Sequence, residues 1–322
     1  MIIPPRQKFA ALPTPIEELP RLSQSLQGPR LLIKRDDLTG LGLGGNKNRK
    51  LEFLVAEALA NGARTLITTG AVQSNHCRQT AAVAAHFGLD CILVLAGQPP
   101  EYSTGNLLLD HVFGAEITWT APADRDQTLK NIFDQAWQQG RRPYLVPYGG
   151  SSPTGACAYA FAIQELVSQI TAIDWIVFAS SSGGTQAGMV LGAKLFGYSG
   201  RILGISVDES QLTLQTRVAN LASATADFLG EKVIFSPSAI LVNADYLGEG
   251  YGILGQPEKE AIKIFARMTG LLLDPVYTGR AAAGLIGLIR DGFFHRDETV
   301  LFWHTGGAPA LFAERYLELG QS

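Results

Sequence analysis

The chain has 322 residues, of which 46% are hydrophobic, enough apolar material for two domains of ordinary size. Its 26 Lys and Arg nearly balance 29 Asp and Glu, so no overall field draws it to nucleic acid or an anionic membrane, and small molecules are the expected partners. Met1 to Pro15 lacks the apolar core of a secretory signal, and apolar runs such as Cys91 to Ala96 are too short to span a bilayer, so a cytoplasmic protein is expected.

Short apolar, strand-like runs alternate with segments of helical period almost from end to end, an α/β pattern. The clearest strands are Leu31 to Ile33, Thr65 to Thr68, Cys91 to Leu95, Ile117 to Trp119, Tyr144 to Val146, Trp175 to Phe178, Ile202 to Val207 and Val300 to Trp303. A glycine-rich stretch from Thr39 to Asn46 leads to Lys47 and a helix with Leu51, Leu54, Val55, Ala58 and Leu59 on one stripe, which stops at Asn61-Gly62. Gly- or Ser-rich turns follow several strands, at Thr69-Gly70 to Asn75, Tyr148 to Thr154, Ser180 to Thr185 and His304 to Gly307. In an open parallel sheet such turns gather at the carboxyl edge, where one site could use them all.

Lys47 stands where a buried amine would be nucleophilic toward carbonyls, as Schiff-base chemistry requires. Read by itself it is more often a solvated lysine in the first turn of a helix. Ser181-Ser182-Gly183-Gly184-Thr185 runs from a strand into a small-residue helix whose first amides suit a dianionic phosphate; Ser as an ordinary helix cap is the alternative. Gln73-Ser74-Asn75-His76 offers a second anion pocket, again with capping by Ser74 or Asn75 as the alternative. Three scattered cysteines and five histidines show neither a disulfide framework nor metal spacing. Gly40-x-Gly42-x-x-Gly45 fits a dinucleotide fingerprint formally, but charged Lys34 to Asp37 stands where the strand should continue, and no acidic residue closes the next strand.

Five blocks, in the same order along most of the chain, resemble the D-cysteine desulfhydrase and 1-aminocyclopropane-1-carboxylate deaminase family. They are residues 44–52 (GGNKNRKLE), 73–81 (QSNHCRQTA), 105–110 (GNLLLD), 274–279 (DPVYTG) and 304–311 (HTGGAPAL). The resemblance implies a pyridoxal 5'-phosphate enzyme of fold type II, tryptophan-synthase-β-like, with two open, mostly parallel sheets flanked by helices and a homodimeric assembly. It implies a discontinuous large domain, 1–50 plus 147–322, and a small domain, 51–146, with the cofactor between them.

By the same resemblance Lys47 forms the internal aldimine, Ser181 to Thr185 hold the phosphate, Lys50 neutralises it, and Asn75 approaches the ring hydroxyl. Ser74, Asn75 and His76 face the substrate, and Tyr251 and Tyr277 match two active-site tyrosines. Thr278 stands where the cyclopropane deaminases place a glutamate against the pyridine nitrogen, and Thr305 where they place leucine. His76, where they tend to have glutamine, points the same way. These departures favour β-elimination from D-cysteine over cyclopropane opening, the alternative within the family. Two more concern the pocket: Arg280 replaces a usual lysine, and the loop after Tyr251 lacks a frequent proline. From other classes, a nicotinamide dinucleotide protein or a non-catalytic ligand-binding protein on the same fold is the rival.

Overall fold

A computed structural model describes residues 1–170 and 172–320. Its strands are β1 (Ile16–Glu18), β2 (Arg30–Arg35), β3 (Thr65–Ala71), β4 (Asp90–Ala96), β5 (Glu116–Thr120), β6 (Pro143–Leu145), β7 (Trp175–Ser180), β8 (Arg201–Ser206), β9 (Leu241–Asn243) and β10 (Thr299–His304). Its helices are α1 (Pro20–Ser25), α2 (Asn46–Ala60), α3 (Asn75–Phe87), α4 (Gly105–Val112), α5 (Arg125–Gln138), α6 (Pro153–Gln169), α7 (Gly184–Phe196), α8 (Gln211–Phe228), α9 (Gln256–Thr269) and α10 (Thr278–Arg290).

The strands form two sheets, ordered β1-β2-β10-β7-β8-β9 and β5-β4-β3-β6. All pairings are parallel except β1 with β2. Alternation of side chains across a strand explains why both faces of the larger sheet are covered. Leu31, Ile33, Val177, Val300 and Phe302 pack with Phe265, Leu285 and Ile286 from α9 and α10. Their neighbours Leu32, Ile176, Phe178, Leu301 and Trp303 turn the other way, onto Tyr159, Ile163 and Met189 from α6 and α7. In the smaller sheet Leu66, Leu93 and Leu95 meet the α2 stripe of Leu51, Leu54 and Val55, whereas Ile67 and Ile92 meet α5.

All eight strands expected from the sequence are present, within a few residues at their ends. The two that were not foreseen, β1 and β9, are three residues each and lie at opposite edges of the larger sheet, where one neighbour suffices and little apolar pattern is needed. Helix α2 ends at Ala60 ahead of Asn61-Gly62, as its stop signal requires. Cys77, Cys91 and Cys157 are free and buried. Among the described residues no helix is long and apolar enough to cross a membrane.

Candidate active site

Lys47 is the second residue of α2, and glycines bring it there. Gly44 and Gly45 have φ of +66° and +124°, and a Cβ on Gly44 would stand 2.0 Å from the Asp37 carbonyl oxygen, so only glycine lets the chain fold back at this point. This run is not a dinucleotide turn. Two 3-10 segments, Asp36–Leu38 and Leu41–Leu43, separate β2 from α2, so no strand feeds directly into the helix.

Part of the Lys47 side chain opens to a cavity, yet its amine lies deep enough that burial lowers its pKa to about 8. No hydrogen bond or ion pair holds that amine among the described residues. Lys50, one turn further along, is fully buried; its Nζ donates to the Gly149 carbonyl at 3.1 Å. Burial, and then the charge of Lys47, push the Lys50 pKa well below the ordinary lysine value. Two buried amines without a carboxylate partner are unstable in each other's company unless an anion joins them.

The turn after β7 offers a place for that anion. Gly183, with φ +83°, caps α7 without any side-chain hydrogen bond, so serine capping is not what this turn does. The Gly184 amide is taken up by Ser151 Oγ, and the Thr185 and Gln186 amides with the helix dipole remain for an anion. A Cβ on Gly184 would lie 2.5 Å from Ser151 Oγ and 3.0 Å from Lys50 Nζ, so glycine keeps the Lys50 amine and the turn in reach of one another. Ser151 supports the turn, accepting from the Gly184 amide at 3.2 Å and donating to Ser182 Oγ at 2.8 Å. The remaining amides, two amines without a carboxylate partner and preserved space fit a phosphate-bearing cofactor.

Across the cavity Ser74 caps α3, its Oγ accepting from the Cys77 amide at 3.1 Å, which decides between the two residues expected as cap. Asn75 and His76 follow in the first turn. The His76 ring lies 2.9 Å from Thr68 Oγ1 through Nε2, while Nδ1 makes no hydrogen bond among the described residues. Burial, then the charges of Lys47 and Lys50, hold this imidazole neutral.

One cavity of about 640 Å³, open mouth included, unites most of the expected residues. Lys47, Ser74, Asn75, His76, Ser181, Ser182, Gly183, Thr185, Tyr277 and Thr305 line it, so all four turns singled out in the sequence meet. Four expected residues stand outside this wall. Gly184, in the turn after β7, is turned toward Ser151 and Lys50, and Lys50 lies beneath that turn. Tyr251 stands behind Tyr277, their hydroxyls 2.6 Å apart. Thr278 departs from its expected place beside a cofactor ring: its hydroxyl donates to Asp274 Oδ1 and accepts from the Asp274 amide, closing the turn into α10. The Ser181 hydroxyl likewise points to Asp208, at 2.9 Å, which leaves its backbone for the cavity.

The family model for pyridoxal-phosphate dependent enzymes matches residues 8–306. The chain belongs to this family. Its cofactor is therefore pyridoxal 5'-phosphate, which overturns the dinucleotide reading. The D-cysteine desulfhydrases of Salmonella typhimurium strain LT2 and Salmonella typhi are each 44% identical over 318 residues, 96% of this chain and 96% of theirs. A crystal structure described as an ACC deaminase homologue superposes with a TM-score of 0.90 at 38% identity, covering 98% of this chain and 96% of that one. A fungal L-serine ammonia-lyase from Rhizomucor miehei shares the fold, with a TM-score of 0.68 at 17% identity over 96% of this chain and 98% of that one.

Within this pyridoxal-phosphate enzyme several residues of the site escaped sequence reading. Tyr148 lines the cavity with the Arg125 guanidinium 5.0 Å above its ring, and Asn46 donates to Thr185 Oγ1 at 3.2 Å. Tyr148 opened a turn already marked in the sequence, and Asn46 precedes the marked lysine, so position was the available signal. The lowered pKa of Lys47 has a measurable sign. In cofactor-free protein its modification by an amine reagent, followed by mass spectrometry, should reach half its maximum near pH 8, where an ordinary lysine needs about 10.4. Between those values the unfolded chain binds more protons, so the cofactor-free fold should gain stability as pH rises.

Proposed function

We propose that the protein catalyses β-elimination on a small D-amino acid, D-cysteine and water giving pyruvate, sulfide and ammonia. The relatives named D-cysteine desulfhydrase support this substrate. The observation that carries the reaction type is the lack of any carboxylate in the cavity wall among the described residues; Thr305 would offer a hydroxyl instead. A hydroxyl in place of a carboxylate would not hold a pyridine nitrogen protonated, and the weaker electron sink that results would suffice when thiolate is the leaving group. Bound pyridoxal phosphate supplies that sink for the charge left at Cα.

The chain's own groups do the rest. Lys47, neutral at mildly alkaline pH because it is buried, takes the Cα proton. The first amides of α3 and the Ser74 hydroxyl, whose hydrogen is not used in its capping bond, hold the substrate carboxylate. Tyr277, with Tyr251 behind it, faces the departing sulfur. The site lies between two units, residues 1–50 with 147–322 and residues 51–146, the second carrying the smaller sheet.

Parallel assays with D-cysteine, L-cysteine and 1-aminocyclopropane-1-carboxylate test this reading. Sulfide and pyruvate from the D-isomer, with the cyclopropane left intact, is the expected result. Faster reaction of either competitor would sink it. The ACC deaminase homologue keeps cyclopropane opening as the second reading.

One surface supports a homodimer as the assembly. Leu38, Leu43, Leu108 and Phe312 are 45%, 64%, 48% and 66% exposed and line a single apolar groove, a surface suited to association. A second copy of the chain covers it. Sedimentation should give a dimer of the 34.5 kDa chain, and Leu43→Glu should shift it to monomer.

A further inference from the structure

Arg78 takes no part in the chemistry described so far, yet it is fully buried and the two most used polar turns meet at it. Its Nη1 donates to Asn75 Oδ1 at 3.1 Å and to Asn106 Oδ1 at 2.7 Å, and its Nη2 donates to the Gly44 carbonyl at 2.8 Å. All three acceptors are neutral. Gly44 lies three residues before Lys47, and Asn75 sits in the cavity wall, so one guanidinium spans the loop that delivers the amine and the turn opposite it.

A guanidinium only donates, and this settles the orientation of both amides without any further assumption. Each atom facing Arg78 must be oxygen. Asn106 is then left with its Nδ2 toward Gln73 O and Asn75 Oδ1, both at 2.9 Å, and the Asn106 amide is itself held by Gln73 Oε1 at 2.8 Å. The oxygen of Asn75 is therefore occupied twice, and its Nδ2 must turn the other way. No protein acceptor among the described residues takes up that Nδ2. Gly307 makes room there: a Cβ on it would stand 2.7 Å from Asn75 Nδ2.

We infer that Arg78 and Asn106 are positioning residues that lock Asn75 as a hydrogen-bond donor toward the ring oxygen of the bound cofactor, with the buried guanidinium charge stabilising that oxygen as an anion. The inference rests on the reading that Asn75 meets the ring hydroxyl. The locked amide supplies direction, and the cation behind it supplies field in a place where little water screens it.

The charged and titratable groups that face this corner come from several elements. Asp110 on α4 and Asp274 before α10 act on Arg78, and neither accepts a hydrogen bond from it. Asp274 spends its oxygens on the Val276, Tyr277 and Thr278 amides and the Thr278 hydroxyl. Neither Asp110 oxygen has a hydrogen-bond partner among the described residues, and burial raises its pKa to about 8, so near neutrality it is largely protonated and leaves Asp274 as the carboxylate that acts on Arg78. Lys47 and Lys50 on α2, His76 and Cys77 on α3, and His304 on β10 complete the set, and of all these groups only Arg78 bonds to Asn75.

The test reads the visible band of the cofactor-loaded protein against pH, not turnover. Variants Arg78→Lys, which keeps the charge but not the forked geometry, and Asn106→Ala, which keeps the guanidinium but frees Asn75 from one donor, are compared with the unaltered protein. Arg78→Met is added if it folds. Loss of the lock or of the charge should raise the midpoint at which the coloured Lys47–cofactor conjugate changes its spectrum, by about one pH unit or more for Arg78→Met and by less for the other two. A purely structural role would lower melting temperature and cofactor occupancy and leave the midpoint in place. An unmoved midpoint in folded Arg78→Lys and Asn106→Ala overturns the inference. A normal band and shifted variants without D-cysteine turnover would overturn the substrate reading and leave this one standing.

Discussion

Lys47→Ala should give a folded protein that binds no colour from pyridoxal phosphate and releases sulfide from D-cysteine at least about a thousandfold more slowly, the range expected when a covalent anchor and a general base are lost together. No neighbour can take over. Lys50 is held under the phosphate turn on the Gly149 carbonyl, and the His76 imidazole is kept neutral with Nε2 on Thr68. The substitution also removes the charge that burdens Lys50 and His76, so melting of the cofactor-free variant should equal or exceed that of the unaltered protein. Activity lost with stability retained identifies a chemical role. Sulfide release above a few per cent, or a surviving visible band, would remove Lys47 from the centre of the mechanism. Absorbance, a sulfide assay and thermal melting are sufficient to decide.

What the sequence could show and what it could not divide along physical lines. Strands such as Trp175–Ser180 and Thr299–His304 announce themselves because both faces are buried and nearly every residue is apolar or small. The four turns were legible because glycine and serine at a strand end have few other uses. Their meeting in one cavity follows from parallel topology. Direction was not legible. Ser181 turns to Asp208, and Thr278 spends its hydroxyl on Asp274, four residues earlier, a local bond that composition does not distinguish from a cofactor contact. The supporting polar residues were hidden for a different reason. Arg78, Asn106 and Arg280 act largely through partners 22 to 73 positions away in the chain, and no local periodicity reports such pairs.

Arg280→Met should be the most destabilising single change at the rim of the site. Arg280 stands in the first turn of α10, 1% exposed, where its Nε donates to Glu258 Oε1 at 2.8 Å. Its Nη1 serves the Val207 and Gly250 carbonyls at 2.7 and 3.1 Å, and its Nη2 the Ile253 carbonyl at 3.0 Å. Glu258, equally hidden, uses its other oxygen on the Gly255 amide at 3.1 Å. The pair therefore pins the loop 250–255 at both ends, and that loop carries Tyr251, whose hydroxyl meets Tyr277. Methionine fills a similar volume but strips the buried carboxylate of its cation and leaves Glu258 Oε1 and the Val207 and Ile253 carbonyls without a donor, a loss of about 3–5 kcal/mol by comparison with other broken buried ion pairs. Lysine, a single point of charge with three donors, reaches fewer of these acceptors, so Arg280→Lys should cost about half as much. Urea unfolding of the loaded protein measures both. In Arg280→Lys the turnover rate should fall further than the KM rises, because the Tyr251–Tyr277 contact loosens while the carboxylate turn at Ser74 is untouched. A methionine variant within about 1 kcal/mol of the unaltered protein would mean that water reaches Glu258 and that the loop owes its shape to something other than Arg280.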